Sequence, residues 1–213
     1  MNPISILISE LSNTPFGFAI LLTAYLLGAI PFGFVIAKFF LGYDIRNVGS
    51  GNIGMTNMIR TGGKTPGIAT FLLDFGKGAL AVTIAKLLHA PESIILTGGF
   101  LAVFGHTRSI FLKFTGGKGV AAYLGVLLAV DYRFFLVFAL SWLGMFIIKK
   151  VSSLSALTAL IILPVSGFFV RGISLSFYFY LLTSIYIIVL HHENIKRLLL
   201  GEEGKLKSSD QNK

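Results

Sequence analysis

The chain alternates long apolar stretches with short polar segments over most of its length. The first stretch, FGFAILLTAYLLGAIPFGFVIA at residues 16–37, is long enough to cross the hydrocarbon core of a bilayer without a charge. Several later stretches are shorter than the roughly 20 residues of an isolated span, so we expect tilted, discontinuous or bundle-packed helices. The pattern predicts an all-α polytopic membrane protein with about seven transmembrane helices. The other six stretches are residues 66–88, 93–105, 119–131, 133–148, 154–170 and 173–190.

Composition supports a protein that folds in lipid. Of the 213 residues, 54% are hydrophobic and only 13% are charged, and the mean hydropathy is +0.82. A soluble domain of this length needs more charge to cover its surface. Cysteine is absent, which excludes disulfides, thiolate chemistry and cysteine-based metal sites. We expect a single integral membrane domain over residues 1–204, followed by a solvated, mobile tail over residues 205–213.

The basic residues indicate how the chain is oriented. Fourteen Lys and Arg residues lie in alternate connections and in the C-terminal tail, whereas Arg133 and Arg171 lie in connections on the other side. The positive-inside rule then places the N-terminus outside and the C-terminus in the cytoplasm. The formal net charge of +9 does not indicate nucleic acid here. Basic residues of a lipid-embedded chain instead meet anionic lipid headgroups or anionic substrates.

A glycine-rich segment, RNVGSGNIGMTN at residues 46–57, has the spacing G-x-G-x-x-G of a dinucleotide-binding loop. That spacing has a physical meaning only after a β-strand, and here it follows an apolar stretch of helical length. Asp74 stands where a ribose-binding carboxylate would be expected, but it falls inside the next apolar stretch. A nucleotide is therefore a poor interpretation. What remains is a flexible backbone that can approach an anion.

We predict two anion-binding nests on the cytoplasmic side of the membrane. The first is GSGN at residues 49–52, and the second is TGGKG at residues 115–119, where Lys118 adds a charge to the glycine backbone. Arg60 lies on the same side and supports this hypothesis. The alternative is that both segments are flexible interhelical turns with lysines at the membrane edge. Neither segment is a P-loop, because the earlier glycine of that motif is missing.

Four ionisable residues near these loops need separate interpretation. Asp74 and Lys77 are three residues apart and are expected to pair on one helix face, where they would organise the cytoplasmic end of the helix. A functional role is the alternative, since ionisable groups at membrane depth are often functional. His106 and His191 are expected at cytoplasmic helix ends. No histidine is followed by the aspartate of an H-x-x-x-x-D acyltransferase dyad, and no carboxylate cluster accompanies them to bind a metal.

Four segments, in this order along the chain, resemble the bacterial membrane-integral acyl-phosphate:glycerol-3-phosphate acyltransferase family. They are GSGNIGMTNMIR (49–60), GHTRSIFLKFTGGKGV (105–120), KKVSSLS (149–155) and HENIKRLLLGEE (192–203). This chain has Met55, Ser109 and Thr115 where the family usually has alanine, proline and lysine. The second segment therefore lacks a rigid turn and one charge.

The resemblance implies transfer of a fatty acyl group from acyl phosphate to the 1-hydroxyl of sn-glycerol 3-phosphate. The products are lysophosphatidic acid and phosphate, and the active site faces the cytoplasm from the bacterial inner membrane. This chemistry requires neither a cofactor nor a metal. A substrate phosphate would accept the proton, and His106 as a general base is the alternative.

The resemblance also implies two sets of site residues. The acyl phosphate would be bound by Lys118, the Gly116 and Gly117 backbone, and Ser153 or Ser155. Glycerol 3-phosphate would be held by Arg60 with Ser50, His191 and Asn194. Gly51 and Asn52 complete the expected substrate-binding residues.

A membrane transporter of an anionic metabolite is the alternative function. Seven segments, glycine-broken helices and cationic loops would also suit a transporter. A transporter places polar determinants near the bilayer midplane with access from both faces, whereas here they gather on one face. The sequence indicates neither the oligomeric state nor the preferred acyl chain.

Overall fold

The structure is a computed structural model that describes residues 3–204, so the predicted mobile tail lies outside the described residues. Within residues 3–204 the regular elements are helices, and no sheet is formed. α3 continues directly into a π-helical turn at Ile36–Phe40. The eleven α-helices are α1 Pro3–Asn13, α2 Gly17–Ala29, α3 Phe32–Val35, α4 Met55–Gly62, α5 Lys64–Leu87, α6 Glu92–Thr107, α7 Val120–Val130, α8 Tyr132–Lys149, α9 Ser152–Arg171, α10 Leu175–Val189 and α11 His192–Leu199.

The predicted apolar stretches coincide with helices, except that the first is interrupted between α2 and α3. Four helical segments are long and apolar enough to cross a membrane, and α10 with α11 would make a fifth although the two are bent by 63°. α7 is apolar but shorter than a full span. Length and composition therefore agree with an all-helical fold built for lipid. The four spanning segments are Gly17–Phe40, Lys64–Leu87, Tyr132–Lys149 and Ser152–Arg171.

The N-terminal helix α1 was not predicted from the apolar pattern. It is short, and its apolar side chains Leu7 and Leu11 pack against a small buried cluster that includes Ile94 of α6. Glu10 of α1 accepts a hydrogen bond from the hydroxyl of Ser93 in α6. The partner hydroxyl explains how a carboxylate is accommodated within this packed interface.

The central helices α5 and α7 approach each other closely because glycines line their contact. A Cβ added at Gly78 would lie 2.1 Å from the carbonyl oxygen of Ala122, and one at Gly125 would lie 1.9 Å from a carbonyl oxygen of α5. Small residues permit such backbone contact between membrane helices. The Lys86 ammonium donates to the Val130 carbonyl at 3.0 Å. The two helices therefore pack backbone against backbone near Gly78 and Gly125, and the Lys86 hydrogen bond joins them again near their C-terminal ends.

One end of the bundle is closed by an ionic cluster. Asp131, which precedes α8, accepts hydrogen bonds from Arg133 at 2.7 Å and from Arg171 at the end of α9 at 2.6 Å. These hydrogen bonds hold the pKa of Asp131 well below its usual range, and the bond from Arg133 contributes most. We call this the opposite end. At the other end, the cavity end, helices α4, α7, α9 and α11 begin around a single cavity.

Candidate active site

A cavity of about 370 Å³ opens at the cavity end and has two kinds of wall. The outer part carries most of the polar groups, and the inner part is an apolar groove between α5, α7, α8 and α9. The polar lining includes Ser50, Asn52, Thr56, Arg60, Asp74, His106, Lys118, Ser152, Ser153, His191, Asn194, Arg197 and Glu203. The apolar lining includes Phe71, Val120, Leu124, Phe135, Ala139, Trp142 and Ala156. We call these parts the polar mouth and the apolar groove.

Four helix N-termini meet at the polar mouth. Residues from the first turns of α4, α7, α9 and α11 all line the cavity. None of the four residues that precede these helices makes a side-chain capping hydrogen bond. The first N–H groups of a helix have no intrahelical acceptor, and the helix dipole adds partial positive charge at that end. The mouth therefore suits an anion such as phosphate, which helix N-termini bind readily.

The first predicted nest contributes side chains rather than backbone donors. The N–H of Ser50 donates to Asn57 Oδ1 at 2.9 Å, and that of Gly54 donates to Asn52 Oδ1 at 2.8 Å. Gly51, at φ +70°, donates its N–H to the carbonyl three residues earlier. These N–H groups are used inside the loop, so this part of the prediction needs correction. Ser50 and Asn52 line the cavity, whereas Gly51 is not part of its lining.

The second predicted nest also uses its glycines for packing. The N–H of Gly117 donates to the His106 carbonyl at 3.1 Å, so it is not available to an anion. A Cβ at Gly116 would lie 2.2 Å from that carbonyl oxygen, and one at Gly117 would lie 2.0 Å from His106 Nε2. Only glycines fit against this histidine. Lys118, the next residue, lines the cavity.

A hydrogen-bonded network connects three elements at the mouth. The Lys118 ammonium donates to the Asn194 side-chain oxygen, and the Asn194 amide donates to Glu203 at 2.7 Å. Glu203 also accepts from Ser153 at 2.7 Å and from Arg197 at 2.6 Å. Burial raises the pKa of Glu203, but these three hydrogen bonds outweigh burial and leave the pKa below its usual value. The sequence interpretation missed Arg197 and Glu203, although both lie in the fourth family-like segment.

The charges at the mouth are partly desolvated. Burial lowers the pKa of Lys118 to about 8, and the positive charges of Arg197 and Arg60 contribute to that shift. Burial also lowers the pKa of His191 to about 4, so this imidazole is neutral near pH 7. The Arg60 guanidinium donates to the Gly204 carbonyl at 3.0 Å, which ties α4 to the end of the described chain.

The serine segment was predicted with two alternatives, and the geometry separates them. Ser153 lines the cavity and donates its hydroxyl to Glu203. Ser155 is fully buried and donates its hydroxyl to the Val151 carbonyl one turn earlier at 2.9 Å. Only Ser153 is therefore placed to contact a molecule in the cavity. The neighbouring Ser152 pairs with Thr56 of α4 at 3.2 Å and also lines the mouth.

The predicted ion pair within α5 is confirmed, but its predicted position is wrong. Lys77 Nζ lies 2.8 Å from Asp74 Oδ1. Because Lys64 begins this 24-residue helix, Asp74 lies ten residues inside it rather than at its end. His106 Nδ1 lies 3.4 Å from the same carboxylate oxygen, and both Asp74 and His106 line the cavity. The described residues contain no group of three His, Cys, Asp or Glu side chains that could hold a metal ion.

The fold and the cavity are those of a helical membrane protein in which a cationic mouth is continuous with an apolar groove. The model of the glycerol-3-phosphate acyltransferase family matches residues 18–201, and the chain belongs to this family. The resemblance predicted from the four segments is confirmed. So is the interpretation as an enzyme rather than a transporter.

Relatives and solved structures support the assignment over nearly the whole chain. The chain is 43% identical to the glycerol-3-phosphate acyltransferase of Bartonella quintana over 92% of its length and 94% of the relative. It is 45% identical to the glycerol-3-phosphate acyltransferase of Pelagibacter ubique over 87% of this chain and 95% of the relative. The crystal structure of PlsY, an integral membrane glycerol 3-phosphate acyltransferase, in its glycerol 3-phosphate form gives a TM-score of 0.86 at 40% identity, covering 91% of this chain and 96% of PlsY. The lysophosphatidic acid form of PlsY gives a TM-score of 0.82 at 39% identity, covering 90% of this chain and 95% of PlsY. The chain is thus an integral membrane protein with an all-helical acyltransferase fold.

Proposed function

We propose that this protein transfers a fatty acyl group from acyl phosphate to the 1-hydroxyl of sn-glycerol 3-phosphate, giving lysophosphatidic acid and inorganic phosphate. The observation that carries the proposal is the continuity of a cationic polar mouth with an apolar groove in one cavity. Both substrates are anions, and the donor also carries an alkyl chain. The crystal forms of PlsY with glycerol 3-phosphate and with lysophosphatidic acid support the same acceptor and product.

The acyl phosphate is assigned to the mouth and the groove together. Its phosphate would contact Lys118, Ser153 and the first N–H groups of α7 and α9, which supply one full positive charge and several aligned donors. Its acyl chain would lie along α8, where Phe135, Ala139 and Trp142 share one helix face at spacings of four and three residues. This arrangement buries the chain while its head group stays at the mouth.

Glycerol 3-phosphate is assigned to the polar groups around α4 and α11. Arg60 is the side chain suited to phosphate, because a guanidinium presents paired donors. Ser50, Asn52, His191 and Asn194 line the same region and supply hydrogen bonds without further charge. The neutral state of His191 fits a hydrogen-bonding role beside Lys118.

The chemistry follows from how the two substrates are held. The 1-hydroxyl oxygen attacks the acyl carbonyl carbon, a new ester C–O bond forms, and the bond from that carbon to the phosphate oxygen breaks. The hydroxyl proton passes to a phosphate oxygen, so no protein base is needed. Lys118 and the helix N–H groups stabilise the charge that develops on the departing phosphate. Positioning supplies much of the remaining rate, since an acyl phosphate is already an activated anhydride.

We further propose seven transmembrane segments with the N-terminus outside and the C-terminus in the cytoplasm of the bacterial inner membrane. The cavity end carries most of the basic connections, which favours a cytoplasmic active site.

Cysteines introduced singly at Lys149 and at Tyr132, the two ends of α8, test the orientation in intact cells. A membrane-impermeant thiol reagent should label the Tyr132 position and leave the Lys149 position unlabelled. Labelling of the Lys149 position alone would show that the orientation is the reverse of the one proposed.

The activity itself is tested with detergent-purified protein, palmitoyl phosphate and labelled glycerol 3-phosphate. We expect lysophosphatidic acid and inorganic phosphate in equal amounts. Palmitoyl-CoA in place of palmitoyl phosphate tests whether the donor must be an acyl phosphate. Absence of product over a range of detergents and lipids would refute the proposal.

A further inference from the structure

A cluster of buried ionisable groups lies beside the cavity, and the reaction proposed above does not use it. Asp74, Lys77 and His106 have only 1%, 4% and 4% of their surface exposed. Asp74 Oδ1 lies 2.8 Å from Lys77 Nζ and 3.4 Å from His106 Nδ1. Lys77 also donates to the Ile30 carbonyl at 2.6 Å, at the break between α2 and α3. Burying charged groups is costly, so such clusters often have a functional reason.

The cluster is connected to Lys118 through backbone contacts. The His106 carbonyl accepts the N–H of Gly117, and the His106 ring lies directly against Gly117. A Cβ at Gly117 would be only 2.0 Å from His106 Nε2, so the ring and the backbone cannot shift independently. Lys118 is the next residue and lines the mouth. Contacts therefore run from Lys77 through Asp74, His106 and Gly117 to the cation of the site.

We propose that Asp74 and His106 are positioning residues that fix Lys118 in the place where it binds the donor phosphate. The carboxylate orients the imidazole, and the imidazole fixes the Gly116–Gly117 backbone that carries Lys118. Lys77 balances the charge of Asp74 and anchors the cluster to the break after α2. The inference rests on the proposed role of Lys118 in acyl phosphate binding.

The geometry favours positioning over proton transfer by His106. Nδ1 of the ring lies 3.4 Å from Asp74 Oδ1, and the Nε2 edge of the ring packs against Gly117, which leaves no room for even a Cβ between the ring and the backbone. A general base needs a nitrogen within hydrogen-bond reach of the attacking hydroxyl. The carboxylate–imidazole pair orients a loop here and does not activate a nucleophile.

The first test is Asp74→Asn in the full-length purified protein. The amide keeps the shape of the carboxylate but loses its charge, so the imidazole and Lys118 are less well fixed. We expect kcat/KM for palmitoyl phosphate to fall about 100-fold, as expected for a displacement of about 1 Å at a reacting site. The KM for palmitoyl phosphate should rise, while the KM for glycerol 3-phosphate and the pH profile stay unchanged. Asp131→Asn, which disturbs the ion pairs of the opposite end, is the control and should keep wild-type kcat/KM.

A second variant separates positioning from folding. Asp74→Asn leaves Lys77 buried without its carboxylate, which destabilises the fold. Asp74→Asn combined with Lys77→Met removes both charges, so the melting temperature should recover towards wild type while kcat/KM for palmitoyl phosphate stays low. Gly117→Ala leaves the charges intact but pushes the His106 ring from the backbone, and it should raise the KM for palmitoyl phosphate in the same way.

Three results would overturn the inference. The first is wild-type kcat/KM in folded Asp74→Asn. The second is recovery of both stability and activity in the double variant, which would leave the cluster a purely structural role. The third is a fall in kcat with an unchanged KM and the loss of one limb of the pH profile, which would indicate a general base. A wild-type protein inactive with every acyl phosphate would instead refute the proposed function.

Discussion

The polar mouth and the apolar groove belong to one cavity, but they are built by opposite means. At the mouth, Lys118, Asn194 and Glu203 are fixed by directional hydrogen bonds from three separate elements. In the groove, Phe135 and Trp142 contribute surface without a polar partner, and neighbouring apolar side chains complete the wall. Hydrogen bonds to charged groups depend steeply on geometry, whereas apolar burial scales with area. Single changes at the mouth should therefore lower kcat/KM by tenfold or more, whereas single changes in the groove should shift the preferred acyl-chain length with only a few-fold change in kcat/KM.

The largest effect is expected from Lys118→Ala. This change removes the cation nearest to the proposed donor phosphate, and kcat/KM for palmitoyl phosphate should fall by about 10² to 10³, the usual cost of losing one such stabilising group. Lys149→Ala, at the exposed end of α8, is the matched control and should remain near wild type. If kcat/KM of Lys118→Ala stayed within a few-fold of the wild-type value, the predicted difference in sensitivity between the mouth and the groove would be wrong.

The pH dependence of the mouth should follow the same lysine. With a pKa of about 8, Lys118 is charged below pH 8 and neutral above it. Donor binding should therefore weaken as pH rises through 8, by about tenfold per pH unit at higher pH. In Lys118→Arg the cation persists, so this fall should disappear from the kcat/KM profile for palmitoyl phosphate. An identical fall in both enzymes would assign the titration to another group.

The two serines of α9 provide a matched pair inside and outside the mouth. Ser153→Ala removes a hydroxyl that lines the cavity and contacts Glu203, and we expect a loss of about tenfold in kcat/KM, typical of a hydrogen bond to a charged group. Ser155→Ala removes a hydroxyl that is bonded within its own helix, and its effect on kcat/KM should be much smaller. Initial rates of lysophosphatidic acid formation compare the two. Equal losses would contradict the placement of Ser153.

The smallest effect is expected in the groove. Phe135 lies three residues after the start of α8, near the opposite end, and its ring is 6.1 Å from that of Phe75. Phe135→Ala should lengthen the groove and shift the optimal acyl phosphate to longer chains, with a few-fold change in kcat/KM. Leu140→Ala, on the exposed side of the same helix, should leave the chain-length profile unchanged. A uniform loss at every chain length would mean that Phe135 supports the fold rather than the chain.

The apolar pattern predicted the helices well because burial in lipid requires long hydrophobic runs. The pattern missed α1, which is short and carries Glu10, because its stability depends on packing against α6. Eight of the expected side chains meet at the cavity because their segments begin or end helices there. They are Ser50, Asn52, Arg60, His106, Lys118, Ser153, His191 and Asn194.

The backbone roles could not be predicted from local sequence. Glycine-rich segments favour a backbone nest, but whether an N–H is free depends on partners distant in the chain. Asn57 takes the N–H of Ser50, and the His106 carbonyl takes that of Gly117. The donors suited to an anion are instead at four helix starts, which only the three-dimensional assembly brings together. Glu203 was missed for the same reason, since its partners come from α9 and α11.

The uncapped helix starts have a consequence for thermal stability. A side-chain cap at a helix N-terminus typically stabilises the fold by about 1 kcal/mol. None of the helices α4, α7, α9 and α11 has such a cap, so each forgoes part of this stabilisation in the ligand-free protein, with a smaller loss for α4 and α7 because glycine precedes them. A bound anion supplies the missing acceptors and favours the folded state by mass action. Inorganic phosphate should therefore raise the melting temperature, and the same exposed N–H groups make the free enzyme less stable and ready for substrate.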